Sequence, residues 1–333
     1  MKPVHFYAGQ RHYIDHLLPI WSMLDPLERG QFFVSTKPLA VYARDHDVPA
    51  VVARSFPTQR ATEICGREPL FVVAGWQDYR LTGRRRCVFV EHGAGQTYAG
   101  DPLTATNHGY AGGAGRQRVA LFICPNQRTA DANSGAYPGT PAVVCGSPKL
   151  DGFPSGPPPG EPTVAVSFHW NCPVSPEAGW AFTDYRDAVE RLPADLGMPV
   201  IGHAHPRVWG PLHDWYQSVG IPPVGHFADV AATAAVFVAD NTSCLYEFAA
   251  LDRPVVLLNS PKYRRDVEHG LRFWAMADVG IQVDDGPSLA DAIRRSLTDD
   301  PQAVRRREIT AELYPHRGRA AARAVDAMRT FLP

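Results

Sequence analysis

The sequence predicts an α/β fold of two domains, each a parallel sheet with helices on both faces. Three observations predict it. Short, continuous apolar runs alternate with helix-like stretches along the chain. The alternation is interrupted by a proline- and glycine-rich segment near the middle and then restarts. The length, 333 residues, exceeds one ordinary core and suits two, at roughly 100–200 residues each.

In the first half, strands are predicted at Val4–Ala8, Phe32–Ser35, Pro49–Val52, Leu70–Ala74, Cys87–Val90, Val119–Cys124 and Ala142–Cys145. A helix is predicted over Tyr13–Leu24, where Ile14, Leu17, Leu18 and Trp21 recur at helical spacing. Strands that are apolar throughout, rather than alternating, are buried on both faces, as in a parallel sheet. The segment 153–162 (Phe-Pro-Ser-Gly-Pro-Pro-Pro-Gly-Glu-Pro) can form neither a helix nor an inner strand and reads as a linker. Beyond it, strands are predicted at Thr163–Phe168, Pro199–Gly202, Val236–Ala239, Val255–Leu258 and Gly280–Val283. Helices are predicted at Thr183–Arg191, Leu212–Ser218, Ser243–Leu251, Ser288–Leu297, Ala303–Leu313 and Arg319–Phe331. The expected organisation is two Rossmann-like domains, 1–152 and 163–333, with the last helix packing back toward the first. Two such domains face each other across a cleft, where the carboxyl ends of strands gather and ligands bind.

Apolar residues make up 45% of the chain and charged residues 20%, a globular composition rather than a disordered one. No apolar run is long enough to span a bilayer, and the N-terminus lacks the apolar core of a signal peptide. A cytoplasmic protein without stable membrane insertion is expected. The formal net charge is −1, whereas nucleic-acid binders usually carry a basic surplus. The dense clusters Arg84-Arg85-Arg86 and Arg305-Arg306-Arg307 read as solvated faces. The six cysteines form no CxxC pair; Cys87, Cys124 and Cys145, in or beside apolar runs, read as buried free thiols in a reducing compartment.

Three strand ends carry candidate chemistry. The strand ending at Asp240 runs into the turn Asn241-Thr242-Ser243 and then a helix. Asp240 and these three residues are candidates for donor binding: any of the three can cap the helix, and a helix N-terminus suits a phosphate. Glu247, one turn further in, is a candidate for ribose hydroxyls. The second strand end reads Glu91-His92-Gly93-Ala94-Gly95. Here a histidine that titrates near neutral pH can act as general base, with glycines that admit close backbone approach. Glu91 is the next candidate base. The third is His203-Ala204-His205-Pro206-Arg207. His205 and Arg207 suit a phosphate better than a metal, because no carboxylate or cysteine completes a metal set at a recognisable spacing. His169, after the first strand of the second domain, is expected to open toward the same ligand. The glycine-rich Gly109–Gly115 stretch is either a lid or a loop without fixed structure.

Together these segments resemble the CDP-glycerol glycerophosphotransferase family, the teichoic-acid polymerase and primase group. Glu91-His92-Gly93 looks like its N-domain His-Gly motif, and Cys145–Asp151 looks like the segment before its interdomain linker. His205-Pro206 looks like its C-domain histidine, and Ala239–Val256 is similar to its Asp-x-Ser-Ser segment. The end, Gly318 through Arg323 to Asp326, looks like its final helix. Asn241 stands at the second position of the Asp-x-Ser-Ser motif, and Ser243-Cys244 stands where the family has a serine pair. The resemblance implies a glycosyltransferase B architecture, with His92 as base and His205 steadying the donor diphosphate. It also implies Asn241, Thr242 and Ser243 on phosphate, Glu247 on the ribose, and no metal or other cofactor.

The resulting expectation is a transferase that uses a CDP- or UDP-linked donor and a hydroxyl-bearing acceptor. A UDP-sugar 2-epimerase-like isomerase and a non-catalytic nucleotide-sugar binder are the alternatives on the same fold. Nucleic acid enters only as an acceptor, as in the base-glucosylating enzymes of phages.

Overall fold

A computed structural model describes residues 2–53, 70–83, 85–94, 115–173, 176–264 and 276–332. They form two compact units. The first holds the described residues up to 152 together with 313–332, and the second holds 153–312. No helix among the described residues is long and apolar enough to cross a membrane.

The first unit is a seven-stranded sheet in the order β3-β2-β1-β4-β5-β6-β7. Its strands are β1 (Val4–Ala8), β2 (Arg29–Val34), β3 (Ala50–Val52), β4 (Phe71–Val73), β5 (Cys87–Val90), β6 (Val119–Cys124) and β7 (Ala142–Val144). Every pairing is parallel. Side chains alternate between two apolar layers, as strand geometry requires. Phe6, Val72, Val88 and Leu121 point to one layer, and Tyr7, Val73, Phe89 and Phe122 to the other. The first layer is covered by α1 (Arg11–Met23), α2 (Lys37–Arg44) and the C-terminal helix Ala320–Phe331, through Ile14, Leu17, Ala43 and Met328. The second is covered by α3 (Trp76–Leu81) and α4 (Gln127–Ala136), through Tyr79 and Ala130. Each fully buried aliphatic or phenyl side chain contributes about 1.5–3 kcal/mol.

The C-terminal helix belongs to the first unit although it follows the second in sequence. Asp151 holds its start: the two carboxylate oxygens accept the N–H groups of Ala320 and Ala321 at 3.1 and 2.8 Å. This is a helix cap supplied from a distant part of the chain. At the other end Arg329 pairs with Glu28 at 2.7 Å and Asp25 at 2.8 Å.

The second unit is a five-stranded parallel sheet in the order β12-β11-β10-β8-β9. Its strands are β8 (Thr163–Phe168), β9 (Val200–Ala204), β10 (Ala234–Ala239), β11 (Val255–Leu258) and β12 (Ile281–Val283). The helices are α5 (Phe182–Leu196), α6 (Trp209–Ser218), α7 (Phe227–Thr233), α8 (Cys244–Ala249), α9 (Leu289–Thr298) and α10 (Ala303–Leu313). One sheet face, with Val164, Val166 and Val238, packs on Tyr185 and Val189 of α5, Leu212 and Tyr216 of α6, and Ile293 of α9.

In the cluster Arg305-Arg306-Arg307, Arg305 and Arg307 lie on an exposed face, whereas Arg306 does not. Arg306 is 1% exposed and bidentate to Asp300 at 2.7 and 2.6 Å. Arg305 pairs with Asp278 at 2.6 Å and Arg307 with Asp252 at 3.0 Å. Arg305 also pairs with Glu308 one turn on in the same helix at 3.1 Å, but Asp252, Asp278 and Asp300 lie outside the helix, where a local reading of charge does not find them. Cys87, Cys124 and Cys145 are buried free thiols.

Candidate functional site

In a doubly wound sheet the strand order reverses once, and ligands bind at the carboxyl ends on either side of that reversal. The first sheet reverses between β1 and β4. The loops leaving these two strands are tied together: Asp78, in the first turn of α3, accepts the Gly9 N–H at 2.8 Å. Glycine is required at both loops. A Cβ on Gly9 would lie 2.3 Å from Asp78 Oδ1, and one on Gly75 would lie 2.3 Å from Tyr13 Cε2. Asp78 is 2% exposed. Burial pushes its carboxyl up to about 7, against the opposing Gly9 hydrogen bond.

His92 follows β5, the next strand. Its ring lies 5.1 Å from that of Tyr13, edge to face, and 5.8 and 6.1 Å from His12 and His16. Burial lowers its pKa below the ordinary histidine value. Glu91 and a hydrogen bond to the Ala74 backbone oppose the shift, and Arg116 and Lys149 reinforce it. Nδ1 is buried with no hydrogen-bond partner. His92 is therefore a neutral imidazole at pH 7 with a lone pair to offer. His16 is 2% exposed, and burial first, then Lys149 and His92, hold its pKa well below the ordinary value. Lys149 is buried on the turn Pro148–Leu150 that follows β7.

Glu91 is engaged inside the protein. Its carboxylate pairs with the buried Arg116 guanidinium and accepts from Asn133 Nδ2 at 3.1 Å. Arg116 also lies 4.2 Å over the Phe89 ring. Removing one partner of such a pair strands a buried charge, so Glu91 holds the strand end in place. Gly93 has φ +64°, a left-handed conformation that favours glycine. Gly95, and Gly109–Gly115 apart from Gly115, lie outside the described residues.

The second sheet reverses between β8 and β10. The loops leaving these strands carry His169-Trp170 and Asp240–Ser243, so the predicted donor residues flank the reversal. Asp240 joins the loops: one carboxylate oxygen accepts the His169 N–H at 2.8 Å and the other the Ala181 N–H at 3.0 Å. Asn241 turns the other way, with Nδ2 donating to the carbonyls of Glu177 and Gly179, the latter at 2.9 Å. Both residues shape the loops; of the two that follow, Thr242 is buried and Ser243 half-buried. Thr242 Oγ1 accepts the Cys244 N–H at 3.4 Å, while Ser243 makes no capping bond.

The helix that follows is short, Cys244–Ala249. The N–H groups of Leu245, Tyr246 and Glu247 are already bonded to the carbonyls of Thr242 and Ser243. The expected row of free N–H donors is thus reduced by this tight first turn. Glu247 is 1% exposed within this turn, covered by protein.

His205 and Arg207 leave β9 beside these loops. The His205 and His169 rings are 5.0 Å apart, edge to face. His205 Nδ1 accepts the backbone N–H of Arg207 at 3.2 Å. Nε2 therefore carries the proton and is a donor. Arg207 is exposed, and its guanidinium lies 4.3 Å over the Trp170 ring. His203 does not join them: it is buried, with Nδ1 2.8 Å from Ser167 Oγ. Among the described residues no group of three or more His, Cys, Asp or Glu side chains is arranged to hold a metal ion.

Three features of these sites go beyond those the sequence pointed to. His12 and His16, four apart on α1, had a readable signal: they follow the first strand and share one helix face. Trp170 directly follows His169. Asp78 had no signal, because its role rests on a contact with Gly9, 69 residues away.

No family model matches the sequence, and no curated protein matches it by sequence. Solved structures match its fold. A co-structure of S. aureus MnaA with UDP is similar over 100% of this chain and 97% of that one, at TM-score 0.66 and 14% identity. The wall teichoic acid polymerase TagF is similar over 98% of this chain and 88% of that one, at TM-score 0.67 and 13% identity. A UDP-GlcNAc 2-epimerase from Neisseria meningitidis bound to UDP-GlcNAc is similar over 99% and 100%, at TM-score 0.61 and 12% identity. The chain therefore has the two-unit α/β fold of the glycosyltransferase B type, shared by a polymerase and an epimerase.

Proposed function

We propose that the chain is a transferase that moves a glycosyl or polyol-phosphate group from a CDP- or UDP-linked donor to an acceptor hydroxyl. The observation that carries this reading is a pair of histidines with opposite hydrogen-bonding states. His92 keeps an unpartnered Nδ1 and stays neutral, as a general base must. His205 has its Nδ1 occupied and carries its proton on Nε2, the form that donates to phosphate.

In this reading His92 takes the proton of the acceptor hydroxyl as its oxygen attacks. Attack on an anomeric carbon breaks the bond to the nucleoside diphosphate. Attack on the distal phosphorus breaks the P–O–P bridge and releases the nucleoside monophosphate. Negative charge grows on the leaving phosphate in either case. Arg207, His205 Nε2–H and the Thr242 and Ser243 hydroxyls meet it, as fixed donors aimed at developing charge. No metal or organic cofactor is assigned a part.

The likeness to a UDP-GlcNAc 2-epimerase favours a second reading, an isomerase that acts on the nucleotide sugar alone. One experiment separates them. The protein is incubated with CDP-glycerol and with UDP-sugars, with and without a mixture of polyol and glycan acceptors, and products are read by NMR. Turnover that requires an acceptor supports the transferase. A sugar epimer formed without acceptor replaces it with the isomerase.

A further inference from the structure

Arg207 has no ion pair with any carboxylate among the described residues, although it is exposed. A free arginine side chain carries about 2 kcal/mol of rotamer entropy, which binding would have to remove. Here the side chain is already held. Its guanidinium carbon lies 4.3 Å from the centroid of the Trp170 ring, well inside the range of a cation–π contact. Its main chain is held as well, through the N–H that His205 Nδ1 accepts. Stacking uses only the flat face of the guanidinium, so the in-plane N–H groups remain available for a bidentate contact with phosphate. The half-buried Trp170 is itself fixed. It follows His169, whose N–H is bonded to Asp240 at 2.8 Å, and its ring lies 6.3 Å from that of His205. The two loops that meet at the strand-order reversal are thus linked, through Trp170, to the cation after β9.

We infer that Trp170 is a positioning residue for donor recognition, its indole holding the Arg207 guanidinium stacked and ready for the phosphates of a nucleoside diphosphate. This inference rests on the donor reading given above. Trp170 acts through Arg207 and does not touch the base. It therefore matters for ligands that carry phosphate and not for the nucleoside.

The test is calorimetric titration of the full chain with UDP, CDP, uridine and cytidine, using four variants. Trp170→Leu keeps apolar bulk and removes the π face. Trp170→Phe keeps an aromatic face. Arg207→Ala removes the cation, and the fourth variant combines Trp170→Leu with Arg207→Ala. Trp170→Leu should weaken the diphosphate about three- to tenfold, with the nucleosides and the thermal midpoint unchanged. Trp170→Phe should stay within about twofold of the wild type, because the cation–π contact survives. Arg207→Ala should weaken the diphosphate about tenfold or more, and adding Trp170→Leu to it should cost nothing further, since coupled residues are not additive. Equal weakening of nucleoside and diphosphate by Trp170→Leu, full affinity in that variant, or additive losses in the double variant would each overturn the inference alone. A wild-type protein that binds none of these nucleotides overturns the donor reading, and the inference with it.

Discussion

The backbone N–H of Arg207 donates to Nδ1 of His205 across 3.2 Å, and the bond gives this histidine a direction. With Nδ1 accepting, the ring proton sits on Nε2 and the side chain is a donor. His205→Ala should therefore weaken binding of the donor nucleotide by about 1.5–3 kcal/mol, the worth of a hydrogen bond to a charged group. His205→Gln, whose amide N–H reaches about as far as Nε2, should recover part of the loss. Titration calorimetry on both variants checks this. Equal losses in the two would mean that His205 serves the protein rather than the ligand.

His92 has the opposite character, and its variants should separate turnover from binding. His92→Ala should lower the turnover number by roughly 10²–10⁴-fold, the usual worth of general-base help, with donor affinity nearly unchanged. The pH profile carries the sign of the shift. The pKa of His92 is lowered from 6.5, so the base form persists through neutrality. Turnover should stay level as the pH falls from 8 to 6.5 and drop only below that. The profile of the residual His92→Ala activity should lack this acid limb. Kinetics that report donor affinity and turnover separately test both points.

Asp78 makes a prediction about stability. Its carboxyl titrates near 7 in the folded chain against an ordinary 3.8. Between those values the folded protein holds a proton that the unfolded chain has released. The stability contributed by the neutral carboxyl is thus present in full below about 3.8 and is lost as the pH rises to about 7. Asp78→Asn is neutral at every pH and keeps an oxygen to accept the Gly9 N–H. It should be more stable than the wild type at pH 8, by up to roughly 4 kcal/mol, about three pK steps at 1.36 kcal/mol each. The gap should narrow at pH 5. Thermal unfolding at the two pH values measures it, and a pH-independent gap would place the effect in packing instead.

Metal removal should leave donor binding and turnover intact. His203 is engaged with Ser167, and Arg207, His205 and two hydroxyls are the groups proposed for the phosphates. Activity lost in EDTA and restored by a divalent cation would show that a metal carries charge assigned here to the protein.

Much of the fold was legible because parallel strands buried on both faces are continuous apolar runs. β1, β5, β6 and β8 begin and end where those runs do. β2 extends to Arg29, earlier than its apolar run, and its first three residues carry no apolar signal because Arg29 and Gly30 are half-buried and Gln31 is exposed. The helices α2 and α4 were not legible. α4 buries Thr129, Ala130 and Asn133, and small or polar residues leave no apolar period to read. At the site, sequence pattern located the strand ends but not the direction in which side chains turn. Asp240 and Asn241 looked like ligand residues, yet their partners are loop N–H groups and carbonyls at 169–181. Glu91 looked like a reserve base, yet Arg116, 25 residues away, takes its charge. Long-range partners of this kind are set by the fold and have no local spacing.

In the proposed function the second unit recognises a nucleoside diphosphate through the turn after β10 and the residues after β9. Titration of the wild type and of the Thr242→Ala/Ser243→Ala double variant with CDP and UDP tests it most directly. The wild type should bind at least one of them at a single site. A loss of about 1.5–3 kcal/mol per hydroxyl is expected in the double variant, with the ligand-free thermal midpoint lowered only slightly, by the lost Thr242 bond to the Cys244 N–H. Equal affinity in both proteins, or no binding by the wild type, would contradict it.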